Sequence, residues 1–347
     1  MKLLQVDQSN VRYTGIIGTG GIGSGKSFVL NGDHTLGREE SRSGHFLDVR
    51  DYCKQHIILH YIKILLGPSF VVIPVGKVGQ DDLGNALFQE MTDTGFIMDH
   101  VEKTGEFSTL FSLCFHYPDG SGGNLTTDNS ASASVDAAYI EKAADDIKKI
   151  GPKGIVMAAP EVPLSARERL LQLGKKYQAF CTASFTSEEI QSVLSSGMMD
   201  NVDLLAINLD EAAALTGKSS TRSDALQIAE GVAQKLKAHN KNMLVSITAG
   251  SDGSWCWDTE KLHYYPAPKV SIKSTAGAGD AFFSGLLIGM ATGHSLSESQ
   301  QLATLLGGLS VTSPHTIHPG IDRASLYNFL QETNSKCSEK IINTLKP

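Results

Sequence analysis

Six short runs of apolar, mostly branched residues recur along the chain: TGIIGT (14–19), FVVIPVG (70–76), GIVMAA (154–159), QAFCTA (178–183), VDLLAIN (202–208) and MLVSIT (243–248). Between them lie longer amphipathic stretches such as DYCKQHIILHYIKILL, DDLGNALFQEMTDTG, SARERLLQLGKKY, SDALQIAEGVAQKLKAHN and SESQQLATLLGGLSV, several closing on Gly or Asn as helix C-termini do. Strands alternating with helices in this way feed a mainly parallel sheet, so the rhythm predicts an α/β domain.

One interval departs from the rhythm. TLFSLCFHYPDGSGGNLTT (109–127) predicts two strands around a Gly-rich turn, an antiparallel piece suited to a lid. The polar stretch NGDHTLGREESRSGHFLDVRD (31–51) is a loop or part of the same lid. With no internal repeat and no low-complexity linker, residues 1–330 are expected to form one domain, its β lid built from parts of 20–50 and 105–130. A polar C-terminal tail, 331–347, follows the helical segment DRASLYNFLQE.

A chain of 347 residues buries a large core without metals or crosslinks. Its net charge of −7 and lack of any basic block argue against nucleic acid or an anionic membrane, both of which need clustered Lys and Arg. A small-molecule substrate is expected. Five dispersed cysteines without a C-x-x-C fit neither a zinc site nor a disulfide framework. No signal-like or membrane-spanning apolar run is seen, so a cytoplasmic protein is expected.

Residues Gly20 to Ser27, G-G-I-G-S-G-K-S, satisfy the pattern G-x-x-x-x-G-K-[ST] of a phosphate-wrapping loop. Such a loop needs a long helix after it, yet only Phe28-Val29-Leu30 separate Lys26-Ser27 from the turn Asn31-Gly32-Asp33. The motif is therefore expected to be a Gly-rich strand end bordering the acceptor pocket, with Lys26 weighing on the acceptor. A better phosphate context is SIKSTAGAGDAFFSGLLIGM (271–290), where Gly277-Ala278-Gly279-Asp280 runs into a long apolar helix. Converging backbone N–H groups and the helix dipole stabilise an anion there, and Asp280 either takes a proton from an attacking hydroxyl or caps the helix.

The run S-T-A-G-A-G-D-A-F resembles the D-T-x-G-A-G-D-x-F signature of the ribokinase or PfkB-type carbohydrate kinases, whose aspartate is the catalytic base. Other landmarks follow in order. Gly76 to Gly84 resembles the family's G-x-x-G-x-D-x-x-G, Asn208-Leu209-Asp210-Glu211 its N-x-x-E, and Thr248 to Gly253 its T-x-G-x-x-G nucleotide turn. The resemblance spans roughly residues 14 to 330. It implies a doubly wound, ribokinase-like sheet with the site at the carboxyl ends of the strands. It also implies ATP-dependent phosphorylation of a hydroxyl on a sugar or polyol. Asp280 would be the base, with an anion hole from Gly277, Ala278, Gly279 and the amide of Ala276. Asn208, Glu211, Thr248, Gly250, Gly253, Thr275 and Thr304 would serve ATP, and Glu211 would act indirectly on Mg2+. A nucleoside kinase of the same fold and a non-catalytic sugar-binding member are the alternatives, and a lid-mediated homodimer is compatible with the resemblance.

The acceptor side departs from the family. Its G-G-x-x-x-N is replaced by D-Y-C-K-Q-H, which puts Asp51, Lys54 and His56 where bare backbone usually meets the sugar. Gly21, Asp51, Lys54 and Glu161 are the candidate acceptor residues. Ser274 stands in place of an aspartate that often helps to hold a monovalent cation, so dependence on such a cation is doubtful. His56 and His60, four apart on a helix, could ligate a metal, but with no third ligand they are expected to be polar-face histidines.

Overall fold

The structure, a computed structural model, describes residues 2–119, 122–218 and 224–346. Its strands are β1 Gly15–Thr19, β2 Gly23–Leu30, β3 Gly44–Phe46, β4 Asp51–Tyr52, β5 Val71–Gly79, β6 Val101–Thr104, β7 Leu110–His116, β8 Gly122–Thr126, β9 Gly154–Ala158, β10 Phe180–Ala183, β11 Leu204–Asn208, β12 Leu244–Thr248, β13 Ser254–Trp257 and β14 Leu262–Tyr265. The helices are α1 Lys54–Leu66, α2 Asp82–Asp93, α3 Ala137–Glu141, α4 Ala144–Ile150, α5 Leu164–Lys176, α6 Ile190–Ser196, α7 Leu209–Thr216, α8 Ala225–Leu236, α9 Ala278–Ala291, α10 Leu296–Ser310, α11 Arg323–Glu332 and α12 Glu339–Leu345. Among the described residues no helix is long and apolar enough to cross a membrane.

All six apolar runs are strands of one sheet, ordered β14-β13-β12-β11-β10-β9-β1-β5-β6. Pairing is parallel from β12 to β6 and antiparallel for β13 and β14. Successive side chains of a strand point to opposite faces. Ile16, Ile155 and Leu204 therefore join a core under α1, α9, α10 and α11, while Ile17, Val156 and Leu205 join a second core under α5, α6, α7 and α8. β1 is the hinge of this double winding. The chain goes from it to β5 on one side and later to β9 on the other, and the crevice beyond its carboxyl end is where such sheets bind ligands.

A second sheet, β3-β2-β7-β8 with β4 paired to β2, is built from residues 23–52 and 110–126. Its two faces follow from register. Gly25 pairs with both Asp51 and Ser112, and the same face carries Ser27, Cys114 and His116. This polar face holds the buried Asp51, within the field of Asp280, so it looks onto the ends of the large sheet. The other face carries Phe28, Phe46, Phe111 and Leu125, the last three exposed. Asp81 braces the junction: its carboxylate accepts from Gly84 N at 2.7 Å, from Thr109 Oγ1 at 2.6 Å and from Thr109 N at 2.8 Å, tying the start of α2 to the strand that enters this sheet.

Three sequence expectations are corrected. Residues 20–27 run into β2 as the strand end expected, but Lys26 is exposed and on the opposite face from Asp51, away from the candidate acceptor residues. The tail, described to residue 346, carries α12, which buries Ile341 and Leu345 and whose Thr344 carbonyl accepts from Gln5 N at 3.0 Å. His56 is fully buried, edge-on to Tyr52 at 4.6 Å, rather than on a polar face. Burial pushes His56 down to about 3 and His60 down to about 4, which keeps both neutral.

Candidate active site

The GAGD turn becomes the first turn of α9. Gly277 is its N-cap at φ 75°, a left-handed conformation that glycine adopts without strain, and a Cβ there would stand 2.8 Å from the Thr316 carbonyl oxygen. The turn is thereby seated on the loop around Thr316, whose hydroxyl accepts from Tyr52 N at 2.9 Å. Not all its amides are free. Ala276 N donates to Ser274 Oγ at 3.2 Å and Ala278 N to the Thr275 carbonyl at 3.2 Å. Among the described residues, the amides of Gly277, Gly279 and Asp280 have no partner, and the space above Gly279 is open. An anion at the helix N-terminus would thus be met by these three amides and not by those of Ala276 and Ala278, together with the helix dipole.

Asp280 projects from this turn beside Lys54, the first residue of α1, with Nζ 3.8 Å from Oδ1. A lysine in a helix's first turn opposes the dipole and needs compensation. It has three carboxylates around it. The Lys54 N–H donates to Glu161 Oε2 at 3.2 Å, and Asp280, Glu161 and Glu211 together push its ammonium further up. Burial raises the Asp280 carboxyl, and Lys54 opposes that rise.

Glu161 lies just after β9, at the switch between β1 and β9. Its backbone is held at φ 76°, unusual for a residue with a side chain and costing on the order of 1 kcal/mol. That conformation brings the carboxylate against Gly21, where any Cβ would collide with it and with Leu110. Burial is the main reason the Glu161 carboxyl is pushed up to about 7, with Lys54 opposing and Asp280 and Asp51 adding. Asp51 approaches from the smaller sheet; burial raises it and Asp280 adds to the rise, while long contacts to Cys114 Sγ at 3.7 Å and Ser112 Oγ at 3.4 Å and the field of His116 oppose this.

On the other flank, β11 ends at Asn208, in register with Thr248 at the end of β12. Asn208 and Glu211 form a reciprocal cap of α7: Glu211 N donates to Asn208 Oδ1 at 2.9 Å and Asn208 N to Glu211 Oε2 at 2.8 Å. Burial pushes Glu211 up to about 7 against the Asn208 N–H and Lys54. Beyond Thr248 the chain turns through Gly250 and Gly253, at φ 56° and 91°. Thr275 is exposed, and Thr304 sits in α10 with its hydroxyl donating to the Gln300 carbonyl at 2.9 Å. Contacts and shared fields therefore unite Asp280, Lys54, Glu161, Gly21, Asp51 and Glu211. No hydrogen bond among the described residues joins Thr248, Gly250, Gly253 or Thr304 to Asp280.

Thr316 escaped the sequence reading, because nothing local marks a loop residue that seats a turn 39 positions earlier (316 − 277). Ser112, Cys114 and His116 escaped as well, although their alternation with Phe111, Leu113 and Phe115 was a signal. Among the described residues no group of three His, Cys, Asp or Glu could hold a metal ion.

The profile of the pfkB family carbohydrate kinases matches residues 65–323. The chain is 24% identical over 246 residues to the ribokinase of Lactococcus lactis, covering 71% of this chain and 74% of that one. It is also 24% identical over 266 residues to the deoxyribokinase of Salmonella typhi, covering 75% and 83%. Among solved structures it is similar to the ribokinase of Giardia lamblia, with a TM-score of 0.74, 15% identity and coverage of 86% and 94%. Similarity to the Arabidopsis thaliana ribokinase complexed with ribose and ATP gives 0.68, 19%, and 92% and 99%. At such identities these structural likenesses are of fold.

Proposed function

The chain belongs to the pfkB family of carbohydrate kinases, and we propose that it transfers the γ-phosphoryl group of ATP to a hydroxyl of a sugar or sugar-like polyol. The observation that carries this is the placement of Asp280 at the N-terminus of α9, beside Lys54 and among unengaged amides. As the acceptor oxygen attacks the γ-phosphorus, its proton passes to the Asp280 carboxylate and the bond to the bridging oxygen of ADP breaks. The amides of Gly277 and Gly279 meet the charge on the transferring group. Lys54 favours the ionised form of Asp280 against the burial that raises it, and Glu161 with Asp51 offers oxygens to the acceptor's other hydroxyls.

The nucleotide lies along the ends of β11 and β12, over Asn208, Thr248 and the turn through Gly253. Magnesium fits there: Glu211 is a half-buried carboxyl fixed at the start of α7 by its reciprocal bond with Asn208, an oxygen donor placed to order a divalent ion's water shell. When bound, the ion would neutralise phosphate charge, with Glu211 and Asn208 ordering its waters. Closing the smaller sheet over the cleft excludes water and limits ATP hydrolysis.

The test is ADP release with ATP and magnesium across pentoses, hexoses, inositols and nucleosides, for wild type and Asp280→Asn. Acceptor-dependent release that falls at least a thousandfold in the variant is the expected result. Equal release by both proteins would sink the role of Asp280, and binding of a sugar without any turnover would favour a sensor over a kinase.

A further inference from the structure

A cavity of about 210 Å3 opens at the seam between the smaller sheet and the loop after β9, lined by Leu110, Asp128, Ser130, Ala133, Glu161 and Glu189 among others. Glu161 is common to this cavity and to the acceptor cleft, since its Oε2 takes the Lys54 N–H while Lys54 reaches Asp280. At about 30 Å3 per water the space equals about seven waters, the size class of one sugar ring.

Its chemistry is one-sided. Ser130 is 3% exposed, and its hydroxyl has no partner among the described residues, a costly state for a buried polar group unless something else completes it. No lysine or arginine lines the cavity, while three carboxylates do. Glu189 is spent on the Arg167 guanidinium and Thr186 N, which leaves Asp128 and Glu161 to accept. Thr126 adds a hydroxyl that accepts from Asn124 Nδ2 at 3.3 Å, whereas that of Thr127 is engaged by Phe111 N and the Phe111 carbonyl. With carboxylates and no lysine or arginine in its walls the cavity repels phosphate or carboxylate, and its carboxylate and hydroxyl oxygens suit a group rich in O–H or N–H donors.

We propose that this cavity is a second acceptor subsite and that the acceptor is a two-ring molecule. One ring presents its hydroxyl to Asp280, and a second, donor-bearing sugar-like ring sits against Ser130, Asp128 and Glu161. The inference rests on the kinase reading above. A single pentose or hexose leaves the cavity to water and gives up the contacts that would position it.

The experiment compares kcat/KM, by ADP release, for ribose, fructose and myo-inositol with that for neutral disaccharides, disaccharides carrying one amino sugar, and disaccharides carrying one uronic acid. Calorimetric binding of the same molecules is measured beside turnover. Neutral or amine-bearing two-ring acceptors should exceed single rings at least tenfold, and the uronic acids should fall at least tenfold below the neutral pair. The amine and neutral arms separate an ammonium from a hydroxyl as the donor. In Ala133→Leu, which fills the cavity, the two-ring to one-ring ratio should drop at least tenfold. Asp128→Asn, at an exposed position that does not threaten folding, should lower the amine-bearing arm several-fold. Preference for single rings, or a ratio indifferent to both substitutions, overturns the subsite while leaving the kinase reading standing. Absence of turnover with every acceptor counts against the kinase reading, and calorimetry then decides the subsite by whether two-ring molecules bind at least tenfold tighter.

Discussion

Replacing Lys54 by Met removes a charge while keeping most of the side-chain volume, and its effect on Asp280 follows from geometry. Two unit charges 3.8 Å apart interact by about 4.4 kcal/mol at an effective dielectric of 20 and by about 1.1 kcal/mol in water. The Lys54 side chain is 37% exposed, so solvent screens the pair and the interaction lies near the lower figure, about 1.5 kcal/mol. That corresponds to about one pH unit. Lys54 opposes the burial that raises Asp280, so without it the carboxyl rises further. A base works only when deprotonated. The acid limb of kcat, measured by ADP release at saturating ATP, magnesium and acceptor, should therefore move about one unit to higher pH in Lys54→Met. Lys54→Arg, which keeps the charge, should leave the limb close to wild type. A limb that coincides in wild type and Lys54→Met would refute the coupling, because loss of acceptor contacts alone lowers the rate without moving the limb.

Glu161 and Glu211 are both pushed up to about 7, mainly by burial, so the folded protein holds these protons where the unfolded chain has released them. Their stabilising contribution is complete below the ordinary glutamate range and is lost as pH rises through about 7. Glu161→Gln and Glu211→Gln should accordingly gain stability relative to wild type between pH 4.5 and 8 by up to about 3 kcal/mol each, read as a pH-dependent difference in melting temperature; a difference that does not change with pH would refute the assignment. Lys26→Ala should leave the KM for ATP and for the acceptor within twofold of wild type, as its side chain faces solvent on the outer side of β2. A tenfold rise in either would restore a binding role to the Gly-rich motif.

The large sheet was legible because each of its parallel strands from β1 to β12, apart from β6, is a brief apolar run buried on both faces. β6 was not, since VEKT carries two charges at the edge of the sheet, where burial demands little. The smaller sheet was half legible. Its hairpin stood out through a Gly-rich turn, whereas β2 was disguised by glycines that resemble a phosphate loop, and its polar face is the buried one. Asp280 could be singled out because it stands between small residues and a long apolar helix in a run that resembles a family signature; on its own an aspartate there could as well have been a helix cap. Which amides remain free could not be, because that depends on Ser274 Oγ and the Thr275 carbonyl capturing two of them. His56 was misplaced because a histidine among helix polar positions usually faces water, and here the Tyr52 ring and the core close over it.

The central place of β1 constrains how the chain is made. It is made before either of its partners: β5, reached by the bond from Thr19 to Val75 across 56 residues, and β9, marked by the contact of Thr14 with Lys153 across 139. Until the later partner has emerged, one edge of an apolar strand stands unpaired. Pairings so distant in sequence are slow to close, and slow closure lengthens the exposure. During synthesis this protein passes through a stage in which its future middle is an open edge, and the segment in most need of a chaperone's cover is the first strand of the sheet.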